Sequence, residues 1–240
     1  MNTPRLHTMP CALMLRATAV LAAAMLAVGC GHTNNLAKYP VSGGSAVFRA
    51  SVRGGAATSH VIVESPSSNA VAEVAAIVSS IAIGSSGRAR LEQAIVGDSI
   101  AAAVARGVER SAIDYLSMRP VGSIEENPAF IVEVDVEEYA LVSGSFGMMV
   151  RVKGHTRIVD RASGGIVWED SEAHDVPLSQ TLLAGFGPRV VRSAASIYNV
   201  VQLLQLSDEE LRRVVNEGAA EAGREIGEEL REDAAEMRAG

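Results

Sequence analysis

Two segments in the middle of the chain alternate apolar and charged residues, and this alternation restricts the fold more than any other feature. Small or apolar residues occupy every second position of 130–136 and of 150–158, with the acids Glu133 and Asp135 between them in the first segment and bases between them in the second. A period of two is typical of a strand with one buried and one solvated face. We therefore predict a β-hairpin that turns at 143–147.

The charges of this hairpin restrict how its strands pair. A turn about Ser145 places each acid opposite a base, and so does a slip by two residues, whereas a slip by one would bury the charged face. Each opposite-charge pair contributes about 0.2–1 kcal/mol. We expect a solvated structural face, with a functional charged groove as the alternative. The first register pairs Glu133 with Arg157, Asp135 with His155 and Glu137 with Lys153; the second pairs Glu137 with Arg151 and Asp135 with Lys153.

A third strand, Ile166–Glu169, follows the glycine-bearing turn Asp160–Gly165 and contains Trp168, the only tryptophan. The stretch Ile158–Trp168 resembles a hairpin of periplasmic lipoproteins whose α+β domains are similar to the curli-secretion protein CsgG or to the amino-terminal domain of TolB. This resemblance implies a small accessory protein of the bacterial envelope. For Trp168 itself we expect packing in the core or on a sheet face.

Helical periodicity surrounds these strands. Apolar residues recur at intervals of three to five in Arg88–Leu116, where Asp98 is a candidate N-cap for a helix that starts at Ser99. The segment Val71–Ile83 is nearly all Ala, Val and Ile, and we predict a buried helix rather than a membrane-dipping segment. The segment Arg189–Leu204 is also largely apolar and helical.

The last predicted helix starts with a capping box, in which Ser207 precedes Glu210 by three residues. Small residues form a column along one side of this helix and permit close approach of a neighbour. The column consists of Ala219, Gly223 and Gly227. Acids at intervals of four form a solvated flank, with a docked basic partner or cation as the alternative. These acids are Glu217, Glu221, Glu225 and Glu229.

These elements predict an α+β fold. An antiparallel meander over Ala129–Val176, joined by the early strands Ser45–Arg53 and Ser59–Glu64, carries helices packed on one face. We assign residues 45–240 to this single periplasmic domain.

The start of the chain resembles a bacterial lipoprotein signal. Arg16 precedes the apolar run Ala17–Val28, which is followed by Gly29 and Cys30. The run has 12 residues, whereas a membrane-spanning helix needs about 20. The resemblance implies removal of residues 1–29 by cleavage between Gly29 and Cys30, with diacylglycerol on the Cys30 thiol and an acyl chain on its new amine. The alternatives are an ordinary secretory signal and an uncleaved anchor, and translation starts at Met1, Met9 or Met14.

The resemblance also implies a location. Residue 31 is glycine, whereas an aspartate after the lipidated cysteine is a common inner-membrane retention signal in bacteria with two membranes. We therefore expect the outer membrane, with the protein facing the periplasm. Residues 30–44 contain Pro40 and a Gly-Gly pair and are predicted to form a lipidated, flexible tether.

Composition excludes several classes of function. The formal net charge is −7 and becomes −9 when Arg5 and Arg16 leave with the signal, which argues against nucleic acid as a partner. The two cysteines are Cys11 in the signal and the lipidated Cys30, so the mature chain has no disulfide. Only two lysines, Lys38 and Lys153, are present, which leaves few candidates for lysine-dependent catalysis.

The sequence contains none of the common catalytic or cofactor motifs. It lacks a phosphate-binding loop, a helical His-Glu-His zinc motif, a dinucleotide-binding glycine fingerprint and a nucleophile elbow. Glu172, His174 and Asp175 are the densest group of candidate metal ligands, but strand alternation places neighbours on opposite faces. We expect no catalytic residues, no metal, no cofactor and no enzymatic activity.

Three functions are compatible with these observations. The favoured one is a membrane-anchored, non-catalytic accessory or scaffold protein of an envelope assembly or transport system, with a protein partner. The second is an oligomeric secretion pore of the curli-secretion type, which needs lipid-facing strands of about 9–11 residues. The third is a lipid- or small-molecule-binding module that uses Val71–Ile83 and Arg189–Leu204.

Overall fold

The computed structural model describes residues 32–53, 60–63, 89–91, 93–144, 147–171, 173–178, 201 and 203–239. They belong to one compact unit, His32–Gly240. Over these residues, no helix combines the length and the apolar character needed to cross a bilayer. The predicted helix Val71–Ile83 and most of Arg189–Leu204 lie outside the described residues.

Within the described ranges, eight strands form a mixed sheet at the centre of the unit. The strand order is β1-β7-β6-β5-β2-β4, with β3 paired to β5 and β8 paired to β6. The strands are β1 (Thr33–Asn34), β2 (Ser45–Val52), β3 (His60–Val63), β4 (Arg119–Pro120), β5 (Phe130–Gly144), β6 (Gly147–Asp160), β7 (Ile166–Asp170) and β8 (Ala173–Pro177).

The predicted hairpin is the β5–β6 pair, and the first of its two predicted registers is confirmed over half of its length. Glu133 pairs with Arg157, and Asp135 pairs with His155. A β-bulge between Val136 and Glu138 then places Glu138 opposite Lys153. The extra residue shifts the alternation by one, so that Tyr139 and Leu141 are buried after two consecutive glutamates.

The prediction of an antiparallel sheet is correct only in part. The β5–β6, β6–β7 and β6–β8 pairs are antiparallel, whereas β2 and β3 both pair with β5 in parallel. Between β2 and β5 the chain passes through the long helix α1 (Gly97–Leu116). This crossover brings the chain back to the end of the sheet at which β2 begins, as the parallel pairing of β2 with β5 requires.

The second long helix, α2 (Asp208–Ala239), begins at the predicted capping box. The Ser207 amide donates to Glu210 Oε2 at 2.9 Å, and the Glu210 amide donates to Ser207 Oγ at 3.3 Å. The Ser207 hydrogen bonds also lower the pKa of the Glu210 carboxyl. The predicted cap of α1 is wrong: Val96 occupies the N-cap without a side-chain bond, and Asp98 lies in the first turn.

The two helices pack against the sheet and against each other. In α1, Ala103, Val104 and Val108 are buried, and in α2 the predicted apolar stripe is buried from Leu211 to Leu230. The predicted column of small residues faces α1. A Cβ atom added at Gly223 would collide with the Val104 backbone, and one added at Gly107 would collide with the backbone of α2.

The predicted flexible tether needs correction over residues 32–44. Thr33 and Asn34 form β1 and pair with β7, and the Asn35 amide donates to the Val167 carbonyl at 2.8 Å. Leu36 and Val41 are buried in the core. Their burial and the added strand pairing offset the loss of conformational entropy on ordering the segment. The polar composition of the segment did not indicate this ordering.

Candidate functional site

The predicted modification site, Cys30, and the predicted cleavage site between Gly29 and Cys30 lie outside the described residues. The description of the chain begins two residues later, at His32. His32 belongs to a cluster of polar and aromatic side chains between the sheet and α2. We call this group the N-terminal cluster; it consists of His32, Trp168, Asp170 and Asp233.

His32 lies between two carboxylates of the N-terminal cluster. Its Nε2 is 3.2 Å from Asp233 Oδ2, and its Nδ1 is 3.9 Å from Asp170 Oδ1. The ring also contacts Trp168 edge to face, with ring centroids 6.4 Å apart and an interplanar angle of 89°. Each ring nitrogen therefore faces a carboxylate oxygen.

Both carboxylates are buried, and burial makes their partners necessary. The exposed fraction is 3% for Asp170 and 8% for Asp233. Trp168 Nε1 donates to Asp233 Oδ2 at 2.6 Å, which confirms Trp168 as a core residue and adds a specific polar contact to α2. An isolated buried carboxylate is costly, so the indole and the imidazole stabilise this arrangement.

Two further polar side chains lie beside Asp170. His174 Nε2 is 4.0 Å from Asp170 Oδ2, and Thr156 pairs with Asp170 across the β6–β7 ladder. The Thr156 hydroxyl is buried and has no hydrogen-bond partner within the part of the chain that the structure describes. The same part of the chain contains no group of three or more His, Cys, Asp or Glu side chains that could hold a metal ion.

The structure does not assemble the candidate metal ligands suggested by sequence. Glu172 is outside the described residues. His174 faces Asp170 on the core side, whereas Asp175 points to the opposite face and accepts from Arg151 Nε and Nη2, both at 2.7 Å. Strand alternation therefore separates His174 from Asp175, as the period of two requires.

The polar face of the sheet carries a network of opposite charges. The Glu133 carboxylate accepts from Arg157 Nε, and this hydrogen bond raises the pKa of the guanidinium. Because acids and bases are matched along the strands, the network contributes to register and to sheet stability. The ion pairs are Arg53–Glu137 at 2.8 Å, Lys153–Glu137 at 3.4 Å, Arg157–Glu133 at 2.5 Å and Arg151–Asp175 at 2.7 Å. His155 Nε2 is hydrogen-bonded to Glu169 Oε1 at 2.6 Å.

The acidic flank of α2 pairs with neighbouring arginines on the same helix. Glu217 lies 3.1 Å from Arg213, and Glu221 lies 3.1 Å from Arg224. These side chains are about half exposed or more, and exposed pairs of this kind contribute about 0.3–0.5 kcal/mol. The arrangement fits the expected solvated flank.

Sequence reasoning missed the N-terminal cluster. It placed His32 in the tether and did not single out Asp233. The available signal was the helical stripe: Asp233 lies three residues after Leu230 and one before Ala234, on the buried side of α2. A carboxylate at a core position of a helix indicates a buried partner.

Comparison with known proteins gives distant similarities only. No family model and no curated protein matches the sequence. Among solved structures, the PelC dodecamer of Paraburkholderia phytofirmans is 14% identical with a TM-score of 0.32, over 72% of this chain and 94% of PelC. A candidate lipoprotein from Caulobacter crescentus CB15 is 19% identical with a TM-score of 0.28, over 55% of this chain and 83% of that protein. At these TM-scores the comparisons assign neither a family nor a function.

Proposed function

We propose that this chain is a lipid-anchored bacterial envelope protein that acts as a non-catalytic accessory or scaffold component on the periplasmic side of the outer membrane. The observation that carries this proposal is the order of residues at the start of the chain. Arg16, the apolar run Ala17–Val28, Gly29 and Cys30 follow one another as in a lipoprotein signal. Glycine rather than aspartate at residue 31 favours the outer membrane.

The chemistry of the sheet supports a structural role. The charged side chains on its polar face are engaged with one another across β5, β6, β7 and β8. Side chains that neutralise one another in this way stabilise strand pairing. A surface of matched charges is also suited to docking a partner with its own matched charges, because electrostatic complementarity sets specificity.

The secretion-pore alternative is less compatible with the hairpin. In β5, every second residue from Phe130 to Val136 is buried in the core that the helices cover, and the other face carries Glu133 and Asp135. A strand inserted in a bilayer needs one apolar face turned to lipid. The module that would bind lipid or a small molecule uses Val71–Ile83 and Arg189–Leu204, which lie wholly and mostly outside the described residues, so it stays an alternative without structural support.

The anchor is tested by replacing its thiol. We expect Cys30→Ser to abolish incorporation of labelled palmitate and to move the protein from the membrane fraction to the soluble fraction or leave it as an uncleaved precursor. Cys11→Ser is the matched control, since it removes the other cysteine and should change neither result. Unchanged membrane sedimentation of Cys30→Ser, together with an unlabelled parent protein, would contradict the proposal.

The accessory role requires a partner in the envelope. Crosslinking in living cells followed by mass spectrometry should identify a recurrent protein partner, and that partner should co-purify in mild detergent. Recovery of the chain alone under every detergent condition, without crosslinked species, would argue against a scaffold role while leaving the anchor intact.

A further inference from the structure

We infer that the N-terminal cluster fixes the lipidated end of the mature chain against the folded body, so that the end of the domain around His32 and the last turns of α2 faces the bilayer. The inference rests on the proposed lipidation of Cys30. It specifies how the anchored domain is oriented. The end of the domain that carries the N-terminal cluster contacts the lipid bilayer.

Covalent geometry limits the distance between anchor and cluster. Gly31 is the only residue between Cys30 and His32. Consecutive Cα atoms are 3.8 Å apart, so two peptide units span at most about 7 Å. Acyl chains on Cys30 therefore enter the bilayer within a short reach of His32.

The position of His32 is determined by several independent contacts. Its two ring nitrogens face Asp233 and Asp170, at 3.2 and 3.9 Å. The following residues continue the attachment, because β1 pairs with β7 and Leu36 is fully buried. A flexible tether would leave the body free to reorient beneath the membrane, whereas an attachment that begins at His32 restricts this reorientation.

The position of Asp233 places the cluster at one end of α2. This helix runs from Asp208 to Ala239, and Asp233 is in its last third. At about 1.5 Å per residue, Glu209 lies about 40 Å along the helix from Glu236. An anchor at the Asp233 end therefore leaves the start of α2 far from the point of insertion.

The charge of the body favours contact at the anchored end alone. The mature chain has a formal net charge of −9 after loss of Arg5 and Arg16 from the total of −7. Anionic lipid attracts basic segments and repels acidic ones. The acyl chains thus hold one end of the domain at the membrane surface. The remainder of the acidic body has no favourable electrostatic interaction with an anionic leaflet.

Two exposed glutamates of α2 provide a matched pair of reporter positions. Glu236 is near the cluster, Glu209 is near the start of the helix, and both are exposed. Because the only other cysteine of the mature chain is Cys30, Glu236→Cys and Glu209→Cys each introduce a single reactive thiol. Each acylated variant is labelled with an environment-sensitive dye and reconstituted in vesicles that contain phosphatidylglycerol and a headgroup-linked quencher.

We expect strong quenching of the dye in Glu236→Cys and little in Glu209→Cys. Adding His32→Ala or Asp233→Asn should reduce this difference, with circular dichroism confirming that each variant is folded. Acylated protein with equal quenching at both positions would overturn the orientation and leave the anchor standing. Absence of an acyl mass on Cys30 would overturn the proposed function, and the orientation with it. An unchanged difference in folded His32→Ala and Asp233→Asn would overturn the role assigned to the cluster.

Discussion

At the scale of single residues, the contact between Trp168 and Asp233 links the sheet to the end of α2. The indole of Trp168 is buried to 1% exposure and donates to a carboxylate that is itself buried. A hydrogen bond to a charged acceptor contributes more than a neutral one, about 1.5–3 kcal/mol. These residues are 65 positions apart in the chain, so the bond joins β7 directly to α2.

Removal of the Asp233 carboxylate should destabilise the fold. Asp233→Ala leaves the Trp168 N–H without its acceptor and removes the closest partner of His32, so we expect a loss of about 1–3 kcal/mol in the free energy of unfolding. Denaturant unfolding followed by the fluorescence of Trp168, the only tryptophan, measures this loss directly at the cluster.

Glu236→Ala is the control for this measurement. It removes a carboxylate from the exposed side of the same turn, so the change should stay within about 0.5 kcal/mol. Equal unfolding midpoints for Asp233→Ala and the parent protein would show that the Trp168–Asp233 bond does not stabilise the fold.

Residue identities predicted some of these roles and not others. The sequence predicts that Trp168 packs in the core or on a sheet face, and the structure has it in the core. His32 and Asp233 were not predicted as partners, because their contact depends on how β7 and α2 meet in space. A local pattern contains no information about a pair so far apart in the chain.

At the scale of elements, the contact between α1 and α2 depends on glycines. Gly107 and Gly223 bring the two backbones so close that neither position has space for a Cβ atom. The two helices run in the same direction, since Ser99 bonds with Asn216 near one end and Tyr115 bonds with Glu228 near the other. The small residues thus replace side-chain interdigitation with direct backbone packing.

A methyl group added at this contact should separate the helices. We expect Gly107→Ala or Gly223→Ala to destabilise the fold by about 1–3 kcal/mol through overpacking, although alanine has the higher helix propensity. Thermal unfolding measures the effect. Arg106→Ala, at an exposed position of the same turn, should leave the midpoint nearly unchanged. A Gly223→Ala variant as stable as the parent would contradict the backbone contact.

The sequence predicted strands and helices better than their arrangement. Charge alternation excluded every odd slip, because an odd slip would bury charges, but it left two registers open, and the structure has the one that pairs Glu133 with Arg157. It did not predict the bulge at Glu137, where two glutamates in succession interrupt the alternation before Tyr139. Parallel pairing of β2 with β5 was also missed, since apolar alternation is the same in both strand directions.

At the scale of the whole molecule, the described part of the chain is a two-layer structure with a docked N-terminal segment. The sheet forms one layer, α1 and α2 form the other, and residues from His32 onward pack on both β7 and α2. This arrangement makes the N-terminal segment part of the fold rather than a spacer. The proposed anchor on Cys30 would therefore be joined to a docked segment of the domain rather than to a spacer.

The central claim is that the functional protein begins at a lipidated Cys30. Intact mass spectrometry of the protein extracted from bacterial membranes tests it most directly. We expect a polypeptide that starts at Cys30 and carries the added mass of diacylglycerol and an amide-linked acyl chain. An unmodified polypeptide, or a mature chain that starts at any other residue, would contradict the account.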